Sequence, residues 1–234
     1  MPYYDGFVIP VPHARRAEFI EHAKLFDQKL IEMGATRVVE TIGLDIRPGK
    51  TTDFLQAVAA EDGEDIAFSW IEWPDKQTRD ATHKAMESDA EMMAMPMPFD
   101  GKRMIFGGFE ELVRHGEDGP YFQGFLIPVP EGRKEDYRKL AEDAWDMFAR
   151  HGAHSVVETW GEDVPHGKQT DMYRAVKAEL GEHVVFSWMT WPSHEAAKAA
   201  GEAMEAEMTM PEDMPFDPQR MIYAGFEAVL DLKA

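Results

Sequence analysis

The chain contains no cysteine. Disulfides, thiolate metal ligands and a cysteine nucleophile are therefore excluded together. Basic residues are scarce as well: 24 Lys and Arg stand against 44 Asp and Glu, a formal charge of −20. A field of that sign repels phosphate backbones and anionic headgroups, so neither nucleic acid nor a membrane surface is expected as a partner. The simplest account of the acid excess is a solvated shell that keeps the chain in solution. No apolar run approaches the roughly 20 residues that span a bilayer. The opening "MPYYDGFVIP" also lacks the basic start and long apolar stretch of a secretory signal. These absences together predict a cytoplasmic protein. What the chain does have is apolar side chain, 44% of 234 residues, enough for the core of one large domain or two small ones.

It also has a repeat. "MPFDGKRMIFGGFE" (97–110) returns as "MPFDPQRMIYAGFE" (214–227), and the match extends far beyond that phrase. Gly6 aligns with Gly124, and the register holds through "GFVIPVP" and "GFLIPVP", "VVETIGLD" and "VVETWGED", "GKTTD" and "GKQTD", "FSWIEWP" and "FSWMTWP". One residue is lost before the closing phrase, where Met97 aligns with Met214. The chain therefore reads as two copies of one module, 1–113 and 121–234, joined by the linker "RHGEDGP" at 114–120. Seven residues reach at most about 25 Å, so the copies must lie side by side.

Within the first copy the hydrophobic period switches between two and 3.6. Tyr3 to Val11 predicts a strand. A helix follows from about His13 to Met33, with Phe19, Ala23, Phe26, Leu30 and Met33 on one face and Gly34 placed to end it. Thr36 to Gly43 predicts a second strand, Asp53 to Ala59 a short one, and "AFSWIEWP" a strong aromatic one. Asp75 is positioned as the N-cap of a helix running to about Met92, and Arg103 to Val113 supplies the last strand. This order is the split βαβ arrangement of ferredoxin-like folds, an antiparallel sheet with helices on one face. The other face would leave Trp, Phe, Met and Val wet in a lone copy, and two copies laid sheet to sheet remove that exposure. The expected fold is α+β: two tandem ferredoxin-like βαββαβ repeats closing a barrel within one chain.

The motifs "DGFVIPVP", "VVETIGLDIRPGKTTDF", "FSWIEWP" and "MPFDGKRMIFGGFE" occur in order in a way that resembles the YbaA-like family of uncharacterised bacterial proteins, in the dimeric α+β barrel superfamily. Members resemble one copy, and this chain departs from them by carrying two. The resemblance implies that a barrel made elsewhere by homodimerisation is made here between the repeats, with further self-association left open. It implies no activity. Superfamily relatives include cofactor-free monooxygenases, haem enzymes and ligand-binding proteins, which is a likeness of fold only.

A site used by both halves must appear in both. No histidine outside the linker meets a histidine across the repeat, so no stoichiometric metal or haem cofactor is expected. The repeated polar residues include Glu40 with Glu158, Ser69 with Ser187, and Arg103 with Arg220. Glu40 sits mid-strand on the side of Val38 and Ile42, and a carboxylate on an apolar face must be paired, protonated or catalytic. Cross-copy ion pairs, Glu40 with Arg220 and Glu158 with Arg103, are one reading. General acid/base groups facing a pocket are the other. Trp70 and Trp73 are three apart on a strand and face opposite ways, as do Trp188 and Trp191, so one of each pair lines the barrel and either fills space or stacks on a planar ligand. The expected site is thus a small-molecule pocket in the barrel interior, with Glu40 and Glu158 as catalytic candidates and Ser69, Ser187, the four tryptophans, Arg103 and Arg220 as wall candidates. The alternative is a non-catalytic structural or regulatory protein acting through its acidic surface, with a barrel filled solid.

Overall fold

The computed structural model describes residues 1–207 and 213–234. Strands β1 (Tyr3–Pro12), β2 (Arg37–Asp45), β3 (Glu64–Trp73) and β4 (Ile105–Gly116) form the first half, and β5 (Tyr121–Pro130), β6 (Ser155–Asp163), β7 (Glu182–Trp191) and β8 (Ile222–Lys233) the second. They close one barrel in the order β1-β3-β2-β8-β5-β7-β6-β4. Each half keeps ferredoxin-like neighbours, and antiparallel pairing of β2 with β8 and of β4 with β6 joins the halves. β4 runs on to Gly116 against Ser155, which leaves residues 117–120 as the connection into β5.

Two long helices, α1 (Arg16–Glu32) and α5 (Lys134–Arg150), cover the outside of the sheet. Gly34 follows α1 at φ +113° and Gly152 follows α5 at φ +93°, a left-handed turn that costs glycine nothing. The segment expected as a short strand from Asp53 is instead a one-turn helix, α2 (Phe54–Ala57). Asp53 caps it by accepting the Gln56 N–H, and Asp171 caps α6 (Met172–Ala175) in the same way. Four residues are too few for hydrophobic period to separate helix from strand, and the cap decides it. The helix expected from Asp75 to Met92 is broken into α3 (Lys76–Met86), which ends at its C-cap Glu87, and α4 (Ala90–Met93), which Asp89 starts by accepting the Glu91 and Met92 N–H groups. α7 (His194–Glu207) is the counterpart in the second half. Among the described residues no helix is long and apolar enough to cross a membrane.

The barrel is filled by rings. Phe68 stacks on Phe186 with centroids 4.2 Å apart, and Trp70 on Trp188 at 4.3 Å; all four are fully buried. Both stacks pair a residue with its own repeat partner across the seam. The space explains two strand glycines: a Cβ on Gly6 would meet the Phe186 ring at 2.8 Å, and one on Gly124 the Phe68 ring at 2.9 Å. At one mouth α2 and α6 meet, with Phe54 packed edge-on against Phe68 and Phe226, and Thr52 Oγ1 donating to the Ala175 carbonyl of the other half. At the other, Phe122 floors a polar cleft of about 670 Å³ rimmed by Arg37, Glu72, Arg114, Asp118 and Asp231. Buried arginines tie the seams: Arg37 forks onto Asp231 at 2.8 Å, and Arg79 holds Asp5 at 2.8 Å and reaches Asp163 at 2.6 Å. A single half expressed alone, 1–116, exposes these rings and is expected to elute as a homodimer or to be insoluble. A monodisperse, folded monomer by light scattering would contradict the account of the core.

Candidate functional site

Strand alternation sets the site. Val39 and Trp70 point into the barrel, so Val38, Glu40 and Ile42 on β2 and Ser69 on β3 point out, under α1. Ser69 Oγ donates a hydrogen bond to Glu40 Oε2. α1 supplies a second acid. Its buried stripe is Phe19, Ala23, Asp27 and Leu30, and Asp27 Oδ2 is buried with no hydrogen-bond partner. Asp27 is 4% exposed and Glu40 9%. Burial pushes both carboxyls up, the charge of Glu40 raises Asp27 further, and the Ser69 hydrogen bond only partly offsets the rise at Glu40. Burial therefore favours the protonated form of both carboxyls, and the titration of one shifts that of the other.

In the second half the same strands place Glu158 and Ser187 under α5, but the partner differs. Tyr137 stands where Phe19 stands in the first copy, and its hydroxyl donates to Glu158 Oε2 at 2.6 Å. Trp145 stands where Asp27 stands. Burial pushes Glu158 up to about 7 against the Tyr137 hydrogen bond, and holds the Tyr137 phenol well above its ordinary range. Ser187 is the register partner of Glu158 across β6 and β7, and its hydroxyl helps to offset the rise at Glu158. The halves thus share a Glu–Ser core and differ in what faces it: a second carboxyl in one, a phenol in the other.

An aromatic pair lies beside each core. Phe7 is opposite Ser69 in the β1–β3 register and stacks on Phe106 at 6.3 Å; Phe125 is opposite Ser187 and stacks on Tyr223 at 6.0 Å. Phe106 and Tyr223 are exposed. This combination can give or take a proton near neutral pH beside an apolar wall.

The other candidates separate. Trp70 and Trp188 line the barrel as core filling, and their indole N–H groups are buried without partners. Trp73 and Trp191 lie on the helix side, where they donate to Asp5 at 2.9 Å and Gln123 at 2.7 Å. The expected cross-copy ion pairs do not form. Arg103 forks onto Glu64 and Asp100, and Arg220 onto Glu182 and Asp217, each within its own half. The reason is register: Glu40 lies opposite Leu230, while Arg220 precedes the start of β8 at the strand's other end. The Asp and Arg repeated in the closing phrase are therefore a structural clamp on β3 and β7. Nor do Glu40, Glu158, Ser69 and Ser187 project into the space between the copies, as expected from the sequence; they sit outside the barrel, one cluster per half. Asp27 and Tyr137 went unforeseen. A signal for Asp27 existed, since an acid four residues after Ala23 and eight after Phe19 falls on the apolar stripe. Among the described residues no group of three or more His, Asp or Glu gathers as a metal site.

Comparison with known proteins finds the family described as "Protein of unknown function (DUF1428)" twice, at residues 2–101 and 120–218. The uncharacterized protein YbaA of Escherichia coli K12 is 47% identical over 114 residues, which is 47% of this chain and 97% of that protein; YbaA of Shigella flexneri matches equally. Each such relative corresponds to one copy. Among solved structures, an anthrone oxidase-like protein is 12% identical with a TM-score of 0.57, covering all of this chain and 93% of the other. A Fusobacterium nucleatum protein named as a candidate monooxygenase is 8% identical with a TM-score of 0.58, covering 99% and 94%. At those identities the likeness is one of fold.

Proposed function

The chain belongs to the DUF1428 family, and from that premise we propose that it binds a small, mostly apolar molecule between sheet and helix and moves a proton at the carboxyl group there, with Glu40 and Asp27 as the working pair. The observation that carries this reading is the Glu–Ser core, kept on the covered face of both sheets while its surroundings have diverged to Asp27 in one half and Tyr137 in the other. A buried carboxyl with its pKa raised toward neutrality is the state a general acid or base needs, and burial alone supplies the shift. Ser69 orients the Glu40 carboxyl; Phe7 and Phe106 offer the wall for a planar ligand. The step is one proton passing from an acidic O–H or C–H of the ligand to the Glu40 carboxylate. Glu158, locked to the Tyr137 phenol, serves as the supporting counterpart. The cytoplasm is the compartment we expect.

The names carried by the fold neighbours suggest hydroxylated aromatics as the first compounds to test. In a thermal-shift series, wild type should respond to some of them. Glu40→Gln should lose on the order of tenfold in affinity, and Glu158→Gln should respond as wild type does. A wild type indifferent to the whole series, or a Glu40→Gln protein that answers it equally well, removes this reading. A second reading, a non-catalytic protein acting through its acidic exterior, is favoured by the ring-filled barrel. Its mark would be a basic partner whose binding is abolished by salt and untouched by Glu40→Gln.

A further inference from the structure

The loop after β6, residues 164–171, runs beside the start of β4 from the other half, and together they enclose a cleft of about 380 Å³. Its floor is apolar, with Met104, Ile105 and Phe106 among its residues, while Lys102 and Lys168 stand on its walls. In a chain of net charge −20 most basic groups near the seams are pinned to acids, as Arg37, Arg79 and Arg103 are. Lys102 and Lys168 are exposed and make no ion pair among the described residues. The one acid in the wall, Asp171, is already committed: it is 3% exposed and accepts the backbone N–H of Gly167 at 3.1 Å and of Arg174 at 2.7 Å. Asp100, next to the cleft, accepts the Lys102 backbone N–H and is paired with Arg103. Although the Lys102 charge also acts on Asp100, the cleft is a concave spot with two exposed ammonium groups over an apolar floor.

It also leads somewhere. Phe106 belongs to the cleft, stacks on Phe7, and Phe7 is the register neighbour of Ser69, which holds Glu40. We propose that this cleft is the head-group site for an amphipathic organic anion. Lys102 and Lys168 hold the carboxylate, sulfonate or phosphate, and the apolar body lies over Phe106 towards Phe7 and the Glu40 carboxyl. Only that last direction rests on the reading of Glu40 given above. The second half does not carry the same lining: Gln219 stands at the place of Lys102 and Pro48 at that of His166. One site per chain is expected.

The probes are 2-naphthoate and its uncharged counterpart 2-naphthylmethanol, titrated calorimetrically into the full chain at about 0.15 M salt, where surface charges farther than about 8 Å are screened. Wild type should bind one naphthoate per chain, on the order of tenfold more tightly than the alcohol. Lys102→Gln with Lys168→Gln should erase that preference without lowering the melting temperature, because neither side chain is buried or paired. Glu40→Gln should keep the preference, so that a failure of the proton-transfer reading shows separately from a failure of this one. Equal binding of acid and alcohol by wild type, no naphthoate binding at all, or a preference that survives the double lysine substitution would each overturn the proposal.

Discussion

Phe186→Ala is expected to lower the unfolding free energy by about 3–5 kcal/mol, the cost of removing a fully buried aromatic side chain and leaving the space behind it. The side chain has no solvent exposure, stacks on Phe68 at 4.2 Å, and lies 5.3 Å from the Phe109 ring. A closed barrel of eight hydrogen-bonded strands has no free edge along which to contract, so the cavity should persist. Phe68→Ala, its partner across the repeat, should cost about as much. The double substitution should fall short of the sum by roughly 0.5–1.5 kcal/mol, the part of the interaction that belongs to the stack. Denaturant unfolding with an unchanged m-value is the measurement. A loss below about 1 kcal/mol would mean that the barrel centre is loosely filled, and would reopen the interior as a place for a ligand.

Asp27→Asn should stabilise the protein at alkaline pH and leave it nearly unchanged only at or below the ordinary Asp value of 3.8. The sign follows from linkage. Burial raises the native pKa of Asp27 and Glu40 above their unfolded values, so over that interval the folded state binds more protons and stability falls as pH rises. The loss begins above the ordinary carboxylate range and is complete only once pH has passed the raised values. Each group can contribute up to about 1.4 kcal/mol per pH unit within its window. Replacing Asp27 removes its share and leaves Glu40 without a competing acid. A gain of about 2–4 kcal/mol at pH 8–9 is expected, which in a chain of this size raises Tm by roughly 5–10 °C. Parallel melting curves for wild type and variant from pH 5 to 9 would show that the two acids do not share a proton.

Much of the architecture was legible in the sequence because it rests on local and repeated features. The alignment of Gly6 with Gly124 shows two modules, and a short connection forces them together. Asp75, read as a cap, accepts the Thr78 N–H, and Gly34 ends α1 in a left-handed turn. The site was legible only by residue type. Glu40 and Glu158 are carboxyls that burial pushes up on the helix-covered face, and Ser69 is a direct partner of one; their acid and phenol companions, Asp27 and Tyr137, come from helices whose rotation over the sheet no strand pattern reports.

What the sequence determined by itself is therefore parity: which residues of a strand share a face, which elements recur, and that a lone sheet would leave one apolar face uncovered. What only the tertiary structure decided is which face became the inside. Period two places Val39 opposite to Glu40 and Trp70 opposite to Ser69, but both faces of these strands are apolar and both are covered, one by the other half and one by a helix. Closure of the barrel makes the choice, because the stacked Phe68–Phe186 and Trp70–Trp188 rings fill its centre and no buried carboxyl could have been accommodated there without a partner. Glu40 and Glu158 lie under the helices for that reason.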